Sequence, residues 1–211
     1  SFLIMWEFNS CNKKSANKAG FTLIEMLVVL SIFSFIAVSL FVKNSSFNSN
    51  VTLTNLAYEV ALSIRQAQVY GLSVRNFDTG AGQSFAVGYG VNFDADNNVD
   101  YIFYADSNED GYYDPPNELV ETFSLRRGNI LEKFCATESI SGVDRCSDTG
   151  EISKLDISFK RPNPDAIIRT DLLGYSYRRA TIFLVSPEGK SRMIVVRDSG
   201  QISIEQPQPI Q

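Results

Sequence analysis

An α+β fold, one long N-terminal helix laid on antiparallel β-structure, is predicted by three features of the sequence. Residues 21–42, FTLIEMLVVLSIFSFIAVSLFV, form an apolar run with a single charge, Glu25. Behind it, Leu53, Leu56, Ala57, Val60, Ile64, Ala67 and Gly71 recur at three- and four-residue spacing, the period of a helix with one apolar face. From Phe85 onward that period gives way to short β-branched and aromatic runs, separated by turns bearing Gly, Asn and Asp.

The apolar run comes first. At about 1.5 Å per residue it is long enough to cross a hydrocarbon layer of roughly 30 Å. Lys13, Lys14 and Lys18 precede it against a lone Glu7, so the short N-terminal side is expected in the cytoplasm. The large C-terminal part is then periplasmic or extracellular. In a secretory signal peptide the cut falls after the apolar stretch, which is lost; here the small residue, Gly20, stands before it. A carboxylate at the start of a membrane helix costs several kcal/mol unless paired, so Glu25 needs a partner. The plain alternative is a signal-anchor whose Glu25 reaches up to the interface.

Gly20-Phe21-Thr22-Leu23-Ile24-Glu25 resembles the processing motif of type IV prepilins. That resemblance implies a leader over residues 1–20, a prepilin peptidase that cuts after Gly20 and methylates Phe21, and an assembly role for Glu25. Its implied partners are other pilins or pseudopilins, met through the N-terminal helix. The natural counter-charge for Glu25 is the new amine of Phe21 on a neighbouring subunit, which only cleavage exposes. Many major pilins carry a proline near the end of this segment, where this chain has Val42. The sequence begins at Ser1, and a start at Met5 would give a leader of 16 residues.

The bulk composition narrows the function classes. A chain of 211 residues with 44% hydrophobic content supports one cored domain plus an anchor. Histidine is absent, which removes the commonest general base and zinc ligand, and no nucleophile motif takes its place; the chain is expected not to be an enzyme. The net charge is −5, and loss of the leader makes it −7, which argues against nucleic acid as a partner. Arg126-Arg127, Arg178-Arg179 and Arg169 are the residues from which a basic patch would be built, though paired arginines on strands are more often solvated or ion-paired. With Cys11 in the leader, Cys135 and Cys146 remain, with ten residues between them. They either bridge in an oxidising compartment, closing a loop worth roughly 2–3 kcal/mol, or stay as two buried thiols.

The expected organisation is a leader (1–20), a transmembrane and assembly helix (21–43), an amphipathic continuation (44–75) and a β-rich globular domain (76–211). The Ser/Asn-rich stretch Asn44–Asn50 reads as a hinge in the helix, which should end near Gly71–Arg75. Strands are expected over Phe85–Phe93, Tyr101–Tyr104, Leu119–Leu125, Ile130–Phe134, Leu155–Phe159, Ala180–Val185, Met193–Arg197 and Ile202–Glu205. The stretch from Glu132 to Tyr177 is otherwise unassigned, and the tail from Glu205 to Gln211, with Pro207 and Pro209, should be extended.

Within the domain, Tyr89-Gly90-Val91-Asn92-Phe93, then Tyr104-Ala105-Asp106-Ser107-Asn108-Glu109-Asp110-Gly111, then Asn117-Glu118-Leu119 follow in order. With the closing Gly200-Gln201-Ile202-Ser203-Ile204, this order is similar to the H-type minor pseudopilins of type II secretion and their pilus relatives, the GspH/FimT group. The resemblance implies a pilin-like fold and a non-enzymatic fibre subunit, either of a secretion pseudopilus or of a type IV or competence pilus. Asp106, Asn108, Asp110 and Asp114 also have the alternate spacing of a calcium loop, to which Asp94, Asp96 and Asp100 would add ligands. A calcium-dependent, membrane-anchored binding module is the reading that follows from them. An EF-hand needs an acid at its twelfth position, here Asn117, and a helix after it, which Pro115-Pro116 opposes; a solvated turn is the simpler account.

Overall fold

A computed structural model describes residues 20–73, 77–78, 83–84 and 87–207. The leader upstream of Gly20, Cys11, Phe85 and tail residues 208–211 lie outside the described residues. The chain divides into two units, Ser1–Asn44 and Ser45–Gln211.

Helix α1 (Leu23–Leu72) is one element of 50 residues. Asn44–Asn50, expected to form a hinge, is helical throughout. Each Ser or Asn costs a helix only about 0.5 kcal/mol, a local preference that neighbouring structure readily overrides. Here Ser49 Oγ is tied to Ser186 Oγ at 3.1 Å and to the Glu188 carboxylate, and Thr54 Oγ1 donates to Asn50 O at 2.7 Å. In the first unit, Leu23–Leu40 is long and apolar enough to cross a membrane, and none of it is buried in the protein.

The second unit holds two five-stranded antiparallel sheets. One has the order β5 (Leu119–Ser124), β4 (Asn97–Asp106), β3 (Gly88–Asp94), β8 (Lys154–Phe159), β9 (Ala166–Thr170). The other runs β12 (Ile202–Glu205), β11 (Ser191–Arg197), β10 (Tyr177–Val185), β6 (Ile130–Glu138), β7 (Asp144–Cys146). Two-residue strands β1 (Phe77–Asp78) and β2 (Gln83–Ser84) pair with each other. The eight expected strands are all present, several of them longer, while β7 and β9 fill the stretch that periodicity left unassigned. The architecture is α+β and pilin-like, an apolar N-terminal helix followed by an antiparallel β-domain.

Period-two alternation supplies the sheet faces of the core: Tyr89, Val91 and Phe93 from β3, Leu155, Ile157 and Phe159 from β8, Ala180, Ile182 and Leu184 from β10. The buried stripe of α1, from Leu53 through Ala67, packs into the same cluster. Polar ties then fix the helix in place. Ser63 Oγ and Tyr101 Oη share a hydrogen bond of 2.9 Å, and Gln68 Nε2 donates to the carbonyls of Pro164 and Gly200. At Gly71 the helix touches β8 so closely that a Cβ would lie 2.1 Å from the Phe159 carbonyl oxygen.

Candidate functional site

The processing segment has the geometry of a helix start. Gly20 and Phe21 are exposed and non-helical, Thr22 is the N-cap, and Leu23 opens the helix. Thr22 Oγ1 accepts the Glu25 backbone N–H at 3.3 Å, and Thr22 O accepts the Met26 N–H at 3.2 Å. Thr22-Leu23-Ile24-Glu25 therefore has the T-x-x-E spacing of a capping box, with Glu25 in the first turn where the helix dipole favours negative charge. The Gly20-Phe21 peptide bond stands just outside the cap: Phe21 is 77% exposed, and nothing lies within 4 Å of where a Cβ on Gly20 would be. A peptidase can reach this bond in extended form without unwinding the helix.

The second candidate is the acidic connection between β4 and β5. It folds back over the outer face of its own sheet, held by three buried carboxylates. Asp106 Oδ2 accepts Gly111 N–H at 3.0 Å. Glu118 accepts Ser107 N–H at 2.7 Å and Asp114 N–H at 3.0 Å. Asp156, from β8, takes a hydrogen bond from Asn92 Nδ2 at 2.8 Å and another from the Tyr113 backbone. Tyr104 closes the cluster by donating to Gly111 O at 3.2 Å, its ring filling the space left free by Gly90.

Hydrogen bonds arrange these residues in the structure. Asn108 Nδ2 donates to the carboxylates of Asp110 and Asp114, at 3.0 Å from each. Asp106 is buried beneath the loop and directed to Gly111. Asp94 ends β3, Asp96 lies in the β3–β4 turn and Asp100 is in the first half of β4, about 20–30 Å of extended chain from Asp106. Among the described residues no three acidic, Cys or His side chains gather to hold a metal ion. What the loop has instead is turn chemistry: Asp110 N donates to Asn108 Oδ1 and Tyr112 N to Asp110 Oδ1.

Burial of the loop's anchors has an electrostatic consequence. Desolvation pushes the Asp156 carboxyl up to about 7, against the lowering pull of its Asn92 and Tyr113 hydrogen bonds and of Lys154. It likewise pushes Asp106 up to about 6, with the negative charges of Glu118 and Asp110 adding to it and the Gly111 N–H opposing. Both groups bind protons in the folded chain that the unfolded chain, with a carboxyl near 3.8, has already released. Stability must therefore fall as pH rises from about 4 to about 7 and level off above. We expect the melting temperature to be highest near pH 4 and to drop by roughly 3–6 °C by pH 8. Thermal melts of Asp156→Asn should show that drop reduced, chiefly in its upper half.

The arginines singled out in the sequence do not assemble into one patch. Arg126 and Arg127 sit in the β5–β6 turn, where Arg127 Nη1 donates to Thr52 Oγ1 at 3.1 Å. Arg179 lies six residues along β10 from Val185, which pairs with the start of β6, and is bound to Asp144 and Thr137. Arg169 is on β9, cross-strand from Asp156. Cys135 and Cys146, directly opposite each other on β6 and β7, are joined in a disulfide. Sequence reasoning missed Asp156 and Asn92 as loop anchors. The trace in the sequence is the alternation in Leu155-Asp156-Ile157-Ser158-Phe159, which sets Asp156 on the strand face opposite Leu155, Ile157 and Phe159.

With this geometry in view, residues 15–41 match the prokaryotic N-terminal methylation motif. The match supports a type IV prepilin-like protein, a pilus or pseudopilus subunit, and it implies processing by a prepilin peptidase and assembly with other pilins. Such a subunit is structural and usually non-enzymatic. An apolar N-terminal helix with this motif fits a membrane-anchored protein that enters a fibre. No curated protein and no solved structure matches the chain.

Proposed function

We propose that this chain is an H-type minor pseudopilin, cut after Gly20, methylated at Phe21 and built into a type II secretion pseudopilus. The observation that carries the reading is the N-terminal segment: a methylation motif whose candidate scissile bond lies outside a helix cap, leading into an apolar stretch, Leu23–Leu40, none of which is buried in the protein. The finer assignment is supported by the order of β3, β4, an Asp/Asn/Gly-rich turn and β5, the order in which the H-type resemblance places them. Further support comes from the second half of α1. Opposite its buried stripe, Val51, Tyr58, Leu62 and Val69 are exposed at spacings of seven and four, an apolar seam suited to another helix. In this reading the globular domain projects on the periplasmic side and Glu25 pairs with the Phe21 amine of a neighbour.

The test is complementation. In a type II secreting strain lacking its H-type subunit, the chain should restore secretion. Glu25→Leu should still be cleaved and methylated yet lower recovery in sheared fibres by about tenfold, because the Phe21 amine of the neighbour is left unpaired in hydrocarbon. Restoration of pilus function in a strain lacking a pilus minor subunit, with no effect on secretion, would move the chain to the pili. Normal fibre entry by Glu25→Leu would remove the ion-pair account.

A further inference from the structure

The outward face of the sheet containing β10 is not the polar surface that an exposed sheet face usually presents. Cross-strand register sets Cys135, Thr181 and Val195 in one row, and all three are nearly buried although they face away from the core. On one side of that row Arg179 and Arg197 stand directly opposite each other on β10 and β11. On the other side stand Phe183 and Met193, also a register pair. Small floor residues between long walls leave a depression of about 190 Å³, with Asp144 and Glu205 at its ends.

Two like charges directly opposite on neighbouring strands repel, and a nearby anion offsets that cost. Arg179 has its compensation, with Nη2 3.3 Å from Asp144 Oδ1 and Nε donating to Thr137 Oγ1 at 3.0 Å. Arg197 has none: it is exposed, and its guanidinium makes no hydrogen bond or ion pair with any described residue. Glu205, which shares the depression, is instead the acceptor of Ser203 Oγ at 2.9 Å. The groove thus offers an uncompensated fork of donors, mounted on a sheet strand beside a floor of small side chains, on a domain that is otherwise acidic.

We propose that this groove docks an extended segment of a neighbouring fibre subunit, with a glutamate or aspartate side chain on Arg197 and flanking aliphatic side chains over Thr181, Val195 and Phe183. Charge complementarity selects the occupant: a carboxylate satisfies the guanidinium bidentately, and apolar flanks match the floor. Neighbouring strands lie about 4.8 Å apart, so the three strands that form the floor are spanned by a short stretch of extended chain. The proposal rests on the fibre-subunit reading only for the source of the segment, and its test needs no fibre.

The probe is the capped peptide acetyl-Val-Thr-Val-Glu-Val-Thr-amide, labelled and titrated into the full-length mature chain in detergent micelles at low salt, followed by fluorescence anisotropy. The glutamate peptide should bind about tenfold more tightly than its glutamine counterpart. Arg197→Ala should abolish that difference, and Arg197→Lys should keep part of it, with melting curves showing that both variants stay folded. Equal binding of the two peptides, no binding of either, or full discrimination in Arg197→Ala overturns the proposal. Uncut leader in the presence of a prepilin peptidase would instead overturn the fibre reading and leave the peptide result standing.

Discussion

Replacing Gly20 with valine is expected to leave the leader attached, so that the chain co-expressed with a prepilin peptidase keeps its full mass and never shows methylated Phe21. Among the described residues nothing lies within 4 Å of where a Cβ on Gly20 would be, and Gly20 precedes the helix cap, so the substitution is expected to leave the fold unchanged. Any loss is then at the peptidase, which has to bring its catalytic groups up to a backbone carbonyl that a Cβ would shield. The wild-type chain should begin at N-methylated Phe21, and intact mass with N-terminal sequencing reads both species directly. If wild type and variant both retain the leader, the segment is an ordinary signal-anchor, and Glu25 is no more than a first-turn carboxylate.

The largest effect on stability is expected at Gly71. In a helix interior, Gly→Ala normally stabilises by about 0.5–1 kcal/mol, because glycine has more backbone freedom to lose. Here the sign should reverse. A Cβ would meet the Phe159 carbonyl oxygen at 2.1 Å and its carbon at 2.7 Å, and these are backbone atoms at the end of β8 that cannot rotate away. Moving the helix back would also stretch the hydrogen bond that Arg161 N–H donates to Gly71 O at 3.2 Å. Overpacking of this kind costs about 1–3 kcal/mol, so Gly71→Ala should lower the melting temperature by roughly 4–10 °C. An unchanged or raised melting temperature would show that the helix and β8 are less tightly joined than these distances require.

The two predictions draw on different levels of information. Gly20, Phe21, Thr22 and Glu25 are legible in the chain because their chemistry is local: a helix cap, an apolar run and a small residue at fixed offsets act on their own neighbourhood. The same holds for the stripe from Leu53 to Gly71 and for the eight strand runs, whose periods of 3.6 and two follow from backbone geometry alone. The disulfide was legible as a candidate, but the distance between Cys135 and Cys146 became defined only once β6 and β7 paired.

What the tertiary structure alone decided was every feature that depends on residues far apart in sequence. The polar stretch Asn44–Asn50 stays helical against its local preference. Asp156 becomes an anchor for a loop more than forty residues upstream, because β3 pairs with β8 and brings Asn92 to meet it. The aspartates that spacing arranged as cation ligands divide instead between a buried hydrogen-bonded anchor and a solvated turn. Arg197 meets Arg179 only through the register of β10 and β11. Local sequence determined the helix and strand elements, since each lowers free energy within a few residues, and it marked the expected anchor and processing site. Register and layer packing, which bury one whole face of each sheet at once, decided where the charges ended up.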